Sequence, residues 1–348
     1  MARGEWVTVR GGGAFGLACG YELARRGVKV RLIETVRLGA GSSGGTVGAL
    51  APHVPENWNP KKQFQLESLL MAEAFWAGVR DAGGKDAGYA RLGRIQPLAD
   101  AAAVARAEER AAGAAAHWGD AAVWRVAPLS EFGALAPLSP TGLVIHDTLS
   151  ARAAPRAAGA ALAAAITGLG GEIVIGDGAE IGPVIHATGW QGLLELNAAF
   201  DKNVGGGIKG QSALLRFDAG AVPQVYAESV HIVPHADGMV AIGSTSERDF
   251  DAPDTTDAQL DDLIAKARRL CPVLEGAEVV DRWAGVRPRA RSRAPMLGEW
   301  PGRSGHFIAN GGFKIGFGMA PKVAQVMANL VLDGRDAIPE GFRVEDNL

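Results

Sequence analysis

The stretch from Val7 to Glu34, VTVRGGGAFGLACGYELARRGVKVRLIE, has the order strand, glycine-rich turn, helix, strand. Its β-branched start predicts one short strand, and VKVRLIE predicts a second. Glycines at 11, 13 and 16 lie between them. Such glycines permit a sharp turn, close approach of the backbone to a pyrophosphate, and tight packing of the helix on the strand. The stretch therefore predicts a βαβ unit that binds an adenine dinucleotide.

Glu34 is the last residue of the second predicted strand. A carboxylate there can accept hydrogen bonds from both ribose hydroxyls of an adenosine, and it repels the 2′-phosphate of NADP. The helix, predicted from about Ala14 to Arg26, presents amides and the positive end of its dipole to the phosphates. The alternative is a glycine-rich βαβ unit without a ligand. Against it, strand, helix and terminal acid all lie where dinucleotide binding requires them.

Arg10 occupies the last position of the first strand, which is usually a core position. We expect its long stem to carry the guanidinium to solvent. The alternative is an extra cation near the pyrophosphate.

Glycine is unusually frequent, with 48 residues in 348, and it is clustered. The clusters lie at 11–16, 39–48, 168–178, 205–210 and 311–318. Clustered glycine favours backbone brought close to a ligand. FAD is longer than NAD, and segments far from the first turn must reach its flavin ring. The remote clusters at 39–48 and 311–318 therefore favour FAD over a nicotinamide cofactor.

The rest of the chain alternates helical and β-rich segments, which predicts an α/β fold with an α+β second domain. Helices are predicted over 63–82, 100–119, 155–171 and 257–272, with a last helix from about Pro321 to Leu332, and a hairpin is predicted around Asp237-Gly238.

Composition excludes several other classes of protein. The net charge is −3 and no block of Lys or Arg is present, so nucleic acid is an unlikely partner. The longest uncharged apolar run, 157–171, is too short to span a bilayer, and Arg3 and Glu5 argue against a signal peptide. Cys19 and Cys271 fit no zinc spacing and read as reduced thiols, which predicts a cytoplasmic protein.

No metal site is expected. His231 and His235 share a strand face but lie about 13 Å apart along it, too far to share an ion. Cys19, on the first helix, reads as a small core residue and not as a point of flavin attachment.

Four separated stretches resemble the D-amino-acid oxidase / glycine oxidase superfamily of FAD enzymes. They are the fingerprint through Glu34, SSGGTVGALAP, VIHATGW, and WAGVRPRARSRAPMLGEW followed by HFIANGGFKIGFGMAPKVAQVMANLV. The order and spacing of these motifs carry the resemblance, which covers nearly the whole chain.

The resemblance implies a Rossmann-like FAD-binding domain interleaved with a mixed-sheet substrate domain. The expected FAD-binding domain comprises 1–80, 140–205 and 285–348, and the substrate domain comprises 81–139 and 206–284. It also implies that FAD is held by Gly11, Gly13, Ala14, Phe15, Gly16, Glu34, Thr35, Ser42, Ser43, Thr46, Gly48, Ala49, Leu50, Ala187, Thr188, Gly189, Trp190, Gly285, Arg287, Gly311, Gly312, Phe313, Lys314, Ile315 and Gly316.

Two residues are the expected catalytic groups. Arg287 occupies the family's Gly-x-Arg-Pro position, where a guanidinium fork can bind a substrate carboxylate. The alternative is a surface arginine in a basic run with Arg289, Arg291 and Arg293. Lys314, in GGFKIG, is expected either to contact that carboxylate or to stabilise negative charge on reduced flavin. Four aromatic residues form either a pocket or ordinary packing: Trp58, Tyr226, Trp190 and Phe313.

The resemblance implies oxidation of a small amino acid or secondary amine, with hydride transfer to flavin N5, imine hydrolysis and dioxygen as electron acceptor. Three alternatives stay open: a dehydrogenase with another acceptor, an oxidase of the tRNA-modifying type, and a flavin-binding subunit without catalysis. The chain departs from the family at Ala290-Arg291-Ser292 and at His235, where the family has an arginine. These departures leave the substrate open, and the sequence does not define the oligomeric state.

Overall fold

The computed structural model describes residues 5–348, so Arg3 lies outside the described residues. A six-stranded sheet forms around the predicted βαβ unit, in the order β15-β16-β9-β1-β2-β8, with β15 antiparallel to its neighbour. Numbered in chain order, its strands are β1 (Trp6–Arg10), β2 (Lys29–Glu34), β8 (Glu172–Ile175), β9 (Val184–His186), β15 (Met296–Glu299) and β16 (His306–Asn310).

Four helices pack with this sheet in the main core: α1 (Ala14–Arg25), α2 (Pro60–Gly83), α4 (Pro155–Gly168) and α7 (Gly316–Asp333). Helix α1 is buried along almost its whole length between α4 and α7, because residues such as Leu17 and Leu23 occupy the centre of the core. Pro155 is the first residue of α4, as predicted.

A second sheet has eight strands in the order β14-β10-β13-β12-β11-β4-β6-β5. Its strands are β4 (Arg94–Pro97), β5 (Trp124–Pro128), β6 (Leu143–Asp147), β10 (Gly205–Arg216), β11 (Gln224–Ala227), β12 (Val230–Pro234), β13 (Met239–Gly243) and β14 (Glu278–Ala290). The predicted hairpin is β12–β13. A short pair, β3 (Ala49–Leu50) with β7 (Ala151–Arg152), and the helices α3 (Ala101–Trp118), α5 (Gly189–Phe200) and α6 (Ala258–Leu270) complete the fold.

The two faces of the larger sheet differ in chemistry. Helix α6 covers one face with an apolar core that includes Ile232 and Ile242. Residues directly opposite each other on antiparallel strands point to the same side. The ladder therefore places Ser212, His231 and Tyr226 together on the other face, and it places Arg287 there beside Ile208. This polar face is where the predicted site residues of the larger sheet lie.

The predicted fold class is confirmed, and the helices differ from the prediction in two places. Helix α7 begins at Gly316, five residues before Pro321, because burial of Met319 and Ala320 stabilises a first turn that the glycines and proline disfavour. Helix α5 was not predicted. The division into domains stays a proposal, and strand pairing favours one change: β6 belongs with the larger sheet, so the boundary proposed at 140 moves beyond Asp147.

Candidate functional site

The predicted glycine turn follows β1 and leaves no room for side chains. Gly11 has φ +107°, and a Cβ on it would lie 2.3 Å from the carbonyl oxygen of Ala187. A Cβ on Gly16 would lie 1.9 Å from the carbonyl oxygen of Gly11. Both positions therefore require glycine, one for the turn and one for packing of α1 against it.

Glu34 lies across this turn, as the spacing predicts. Its Oε2 accepts a hydrogen bond from the Gly12 amide at 2.7 Å, and its Oε1 accepts one from the Val36 amide at 3.0 Å. Each carboxylate oxygen has a second lone pair, so the acid can hold the turn and still accept ligand hydroxyls. Thr35, between these residues, is exposed.

The loop 39–48 packs on the N-terminus of α1. Ser43 Oγ accepts a hydrogen bond from the Ala14 amide at 2.9 Å, and a Cβ on Gly13 would lie 3.2 Å from that oxygen. Ser42 is half-buried beside it. Arg156 of α4 donates to the Gly44 carbonyl at 2.9 Å. No sequence signal indicated Arg156, because it lies more than a hundred residues from the loop it holds.

The end of this loop, from Thr46 to Leu50, is fixed to the protein interior. Thr46 Oγ1 donates to Ser212 Oγ at 2.9 Å, and its carbonyl lies 2.9 Å from His235 Nε2. Gly48 has φ +63° and a Cβ there would lie 1.8 Å from the Ala153 carbonyl oxygen. Ala49 and Leu50 pair with β7, and Leu50 is fully buried. The departure at His235 thus supports the loop, and burial lowers the pKa of its ring.

The segment 187–190 joins β9 to α5 beside the glycine turn. The Ala187 amide donates to the Arg10 carbonyl at 2.7 Å, and Thr188 is the residue before α5. Gly189 has φ +67°, and its carbonyl accepts from Asn310 Nδ2 at 2.8 Å. The Trp190 ring lies against Gly207, where a Cβ would be 3.2 Å from it.

The segment 311–316 returns from β16 to the start of α1. Gly311 has φ +75°, and a Cβ on Gly312 would lie 2.8 Å from Phe15 Cζ. Ile315 immediately precedes α7, which begins at Gly316. Three glycine clusters that are far apart in sequence therefore meet at the N-terminal end of α1.

Arg287 lies on β14 with 8% of its surface exposed. Its Nη1 donates to Ser244 Oγ at 2.7 Å, and its Nη2 donates to the carbonyls of Lys209 and Thr245 at 3.0 and 2.7 Å. Its Nε–H is buried without a hydrogen-bond partner in residues 5–348. Burial lowers the pKa of Arg287 to about 10, and the attraction of Glu247 opposes that shift.

This arrangement excludes the surface-arginine alternative for Arg287 and changes the expected binding geometry. A guanidinium can offer a carboxylate two different pairs of parallel N–H groups, and both pairs include Nη2. Here both N–H groups of Nη2 donate to the backbone carbonyls of Lys209 and Thr245. The donors left for a ligand are Nε–H and one Nη1–H. Gly210 makes room for this packing, since a Cβ there would lie 2.3 Å from Nη2, and Gly285 makes room for the Trp283 ring in the same way.

Phe313 lies beneath three positive charges. Arg287 Cζ and Arg289 Cζ are each 5.6 Å from the centre of its ring, and Lys314 Nζ is 5.7 Å from it. Lys314 is exposed, and partial burial together with Arg287 and Arg289 lowers its pKa. The two predicted catalytic residues therefore lie close to the same aromatic ring.

The polar face also carries groups that sequence reasoning missed. Arg94 pairs with the fully buried Asp147 at 2.8 Å, and its Cζ lies 5.8 Å from the centre of the Tyr226 ring. Tyr226 packs on His231 with ring centres 4.6 Å apart. Burial, then Arg94 and Lys314, lowers the pKa of His231 to about 3, so its ring is neutral at pH 7. The short strand of Arg94 carries no motif that could have indicated it.

Comparison with known proteins agrees with this geometry. Residues 7–330 match the family described as FAD dependent oxidoreductase, DAO. The chain belongs to this family. A glycine oxidase of Geobacillus kaustophilus (strain HTA426) is 27% identical over 361 residues, covering 93% of this chain and 92% of that protein. A glycine oxidase of Pseudomonas putida is 34% identical over 166 residues, covering 45% of each chain. The crystal structure of glycine oxidase from G. kaustophilus has a TM-score of 0.84 at 24% identity, covering 97% of each chain.

FAD is the cofactor of this oxidoreductase, which confirms the prediction from the glycine clusters. The geometry fits the group: Gly11, Gly12 and Gly13 carry no side chains, and α1 has no acid in its first turn and no capping side chain at its N-cap residue Gly13, although its first amide, of Ala14, donates to Ser43 Oγ. Those amides and Glu34 suit a pyrophosphate and a ribose. The contacts of the individual residues with FAD stay predictions.

The structure also places four other features that the sequence singled out: Arg10, residues 290–292, the four aromatic residues and Cys19. Arg10 reaches the surface and pairs with Glu180 at 3.0 Å. The Ser292 amide donates to Asn347 Oδ1 at 2.9 Å, so the departure at 290–292 contacts the C-terminal residues. The four aromatic residues do not form one pocket, since Trp58 stacks on His117 with ring centres 4.1 Å apart. Cys19 is buried, which raises the pKa of its thiol to about 12.

Two further features are absent from the described residues. Within 5–348, no group of three or more His, Cys, Asp or Glu residues could hold a metal ion. In the same residues, no helix is long and apolar enough to cross a membrane.

Proposed function

We propose that this protein oxidises the C–N bond of a small amino acid or secondary amine of the glycine, sarcosine or D-amino-acid type, with dioxygen as electron acceptor. Membership of the family and the glycine oxidase relatives support the reaction class. The observation that carries the proposal is Arg287. It is a buried cation with no carboxylate partner in residues 5–348 and with an unbonded Nε–H.

A buried charge without a counter-ion is costly unless a ligand supplies one. A substrate carboxylate at Arg287 would pair with the guanidinium and accept from the Nη1–H that no protein group uses. Lys314, whose Nζ lies 5.7 Å from the centre of the Phe313 ring, adds a second positive charge to the same region. Both residues bind and orient the substrate. Neither has to accept a proton if the amine binds in its neutral form.

Bound FAD would supply the acceptor for the α-hydrogen and its electron pair, and reoxidation by dioxygen would yield hydrogen peroxide. The amine also loses a proton from nitrogen and becomes an imine. Water hydrolyses the imine to an oxo acid and ammonia, or an amine where the substrate is a secondary amine. A dehydrogenase would form the same products without peroxide, so the yield of peroxide per turnover separates the two.

The test is replacement of Arg287 by lysine, which keeps the charge but removes Nε–H and the bonds to three acceptors. We expect KM for the amino acid to rise about 10- to 150-fold, the equivalent of about 1.5–3 kcal/mol for a bond to a charged group, with a normal flavin spectrum. Arg282→Lys is the matched control, because Arg282 lies on the same strand, is exposed and pairs with Asp261 at 2.6 Å. Turnover of ethylamine, which lacks a carboxylate, should respond to neither change.

Wild-type kcat/KM in Arg287→Lys would remove Arg287 from the substrate site. If no amine reduces the flavin of the wild-type holoenzyme, the proposed reaction itself is wrong.

A further inference from the structure

The positive charges around Phe313 extend beyond the two residues that the proposed reaction uses. Arg289 lies two residues after Arg287 on the same face of β14, and its Cζ is also 5.6 Å from the ring centre. The turn after β14 adds Arg293, whose carbonyl accepts a hydrogen bond from Lys61 of α2. We call Lys61, Arg289, Arg293 and Lys314 the cationic rim.

These charges act on one another. Burial lowers the pKa of Lys61, and Arg293 and Arg289 lower it further. Burial, then Arg293 and Arg248, lowers the pKa of Arg289. Burial, then Arg287 and Arg289, lowers the pKa of Lys314. The positive charges of the cationic rim repel one another, and this repulsion destabilises the fold unless an anion binds between them.

No such anion is supplied by the described residues. Within 5–348, none of the four side chains of the cationic rim forms an ion pair with Asp or Glu, and the donors of Arg289 and Lys314 form no hydrogen bond. Their neighbours differ, because Arg282 on β14 pairs with Asp261 and Lys209 on β10 pairs with Glu247 at 3.4 Å. Acids are not scarce, since the net charge is −3. The rim is thus a local excess of positive charge.

The rim also borders open space. A cavity of about 330 Å³ is lined by Arg289 and Arg293 of the rim, by Arg291 and by the glycines 205–207, with no carboxylate, and Arg287 lies outside its lining. Two residues along a strand separate Arg287 from Arg289 by about 7 Å. That spacing suits a small molecule with two carboxylates, each meeting one guanidinium.

We propose that the substrate is an amino acid or secondary amine with a second carboxylate, which Arg289 binds with help from the rest of the cationic rim. This inference rests on the proposed function, in which Arg287 binds the first carboxylate. The chemistry is unchanged: the substrate loses hydride and proton to become an imine, and water releases an oxo acid. Selectivity for a dianion comes from charges that a monocarboxylate leaves unpaired.

The test compares sarcosine with iminodiacetate, two secondary amines that differ by one carboxylate. Anaerobic flavin reduction in the holoenzyme gives the second-order rate constant without reference to the electron acceptor. We expect iminodiacetate to react at least tenfold faster than sarcosine in the wild type. In Arg289→Gln this preference should fall at least tenfold, whereas Arg282→Gln should keep it. FAD affinity is measured for each variant by fluorescence titration.

Three results would overturn the inference. One is faster reduction by sarcosine than by iminodiacetate in the wild type. A second is an equal loss of rate with both substrates in Arg289→Gln. The third is weaker FAD binding in that variant, which would assign the rim to the cofactor phosphates. If the flavin is reduced by neither amine nor by glycine, D-alanine or D-aspartate, the proposed function falls first and this inference falls with it.

Discussion

Replacement of Glu34 tests whether the carboxylate across the glycine turn holds the adenosine end of FAD. In the structure its two oxygens accept from the amides of Gly12 and Val36 at 2.7 and 3.0 Å. Glutamine keeps one acceptor but turns an NH2 group toward the other amide, so a donor then faces a donor. Alanine removes both acceptors and admits water to a half-buried edge.

The expected loss follows from these contacts. A hydrogen bond to a charged group contributes about 1.5–3 kcal/mol, and water at this edge recovers part of it. We therefore expect Glu34→Ala and Glu34→Gln to weaken FAD binding by about 1–3 kcal/mol, which is about 5- to 150-fold in Kd. The fold should persist, because Glu34 ends its strand at the edge of the core.

The assay is titration of apoprotein with FAD, followed by quenching of flavin fluorescence. Glu172→Gln is the matched control: Glu172 lies on the neighbouring strand β8 and forms an exposed ion pair with Arg31 at 2.8 Å. Such pairs contribute about 0–1 kcal/mol, so this variant should bind FAD as the wild type does. Equal Kd values for wild type and Glu34→Ala, with the urea midpoint of the apoprotein unchanged, would refute the role of Glu34.

Two further predictions concern stability. Arg94→Met leaves the carboxylate of Asp147 buried without its partner at 2.8 Å, so the free energy of unfolding should drop by about 3–5 kcal/mol in urea; an unchanged midpoint would contradict this. In the folded protein the pKa of His231 is lowered to about 3, whereas in the unfolded chain it is about 6.5. Between these pH values only the unfolded chain binds the proton. The free energy of unfolding is therefore highest above this pH range and falls as the pH decreases through it. Urea unfolding at pH 7.5 and 5.5 should show a wild-type loss that exceeds the loss in His231→Gln by about 1.4 kcal/mol over the whole interval, and equal losses would refute the role of His231.

The parts of the fold that sequence predicted are those whose cause is local. The turn at Gly11 and Gly16 needs a conformation or a clearance that only glycine supplies, so residue type alone indicates it. Helix α5 shows the opposite case. It contains Gly189 and Gly192, which disfavour a helix, and burial of Leu193 and Leu196 decides its formation. That burial depends on β10 and β14, whose position the segment itself does not encode.

The candidate site divides in the same way. Glu34 and Gly12 are neighbours because one βαβ unit brings them together, and a motif within that unit reveals both. The polar face is assembled by strand pairing between segments far apart in the chain, so its charges show no pattern in sequence. Arg94 meets Asp147 through the register of β4 and β6, and Lys61 meets Arg293 across more than two hundred residues. A basic run such as 287–293 looks the same in sequence whether acids surround it or not. Only the fold shows that the cationic rim has no acidic partner in residues 5–348. This unpaired positive charge is what favours a substrate with two carboxylates.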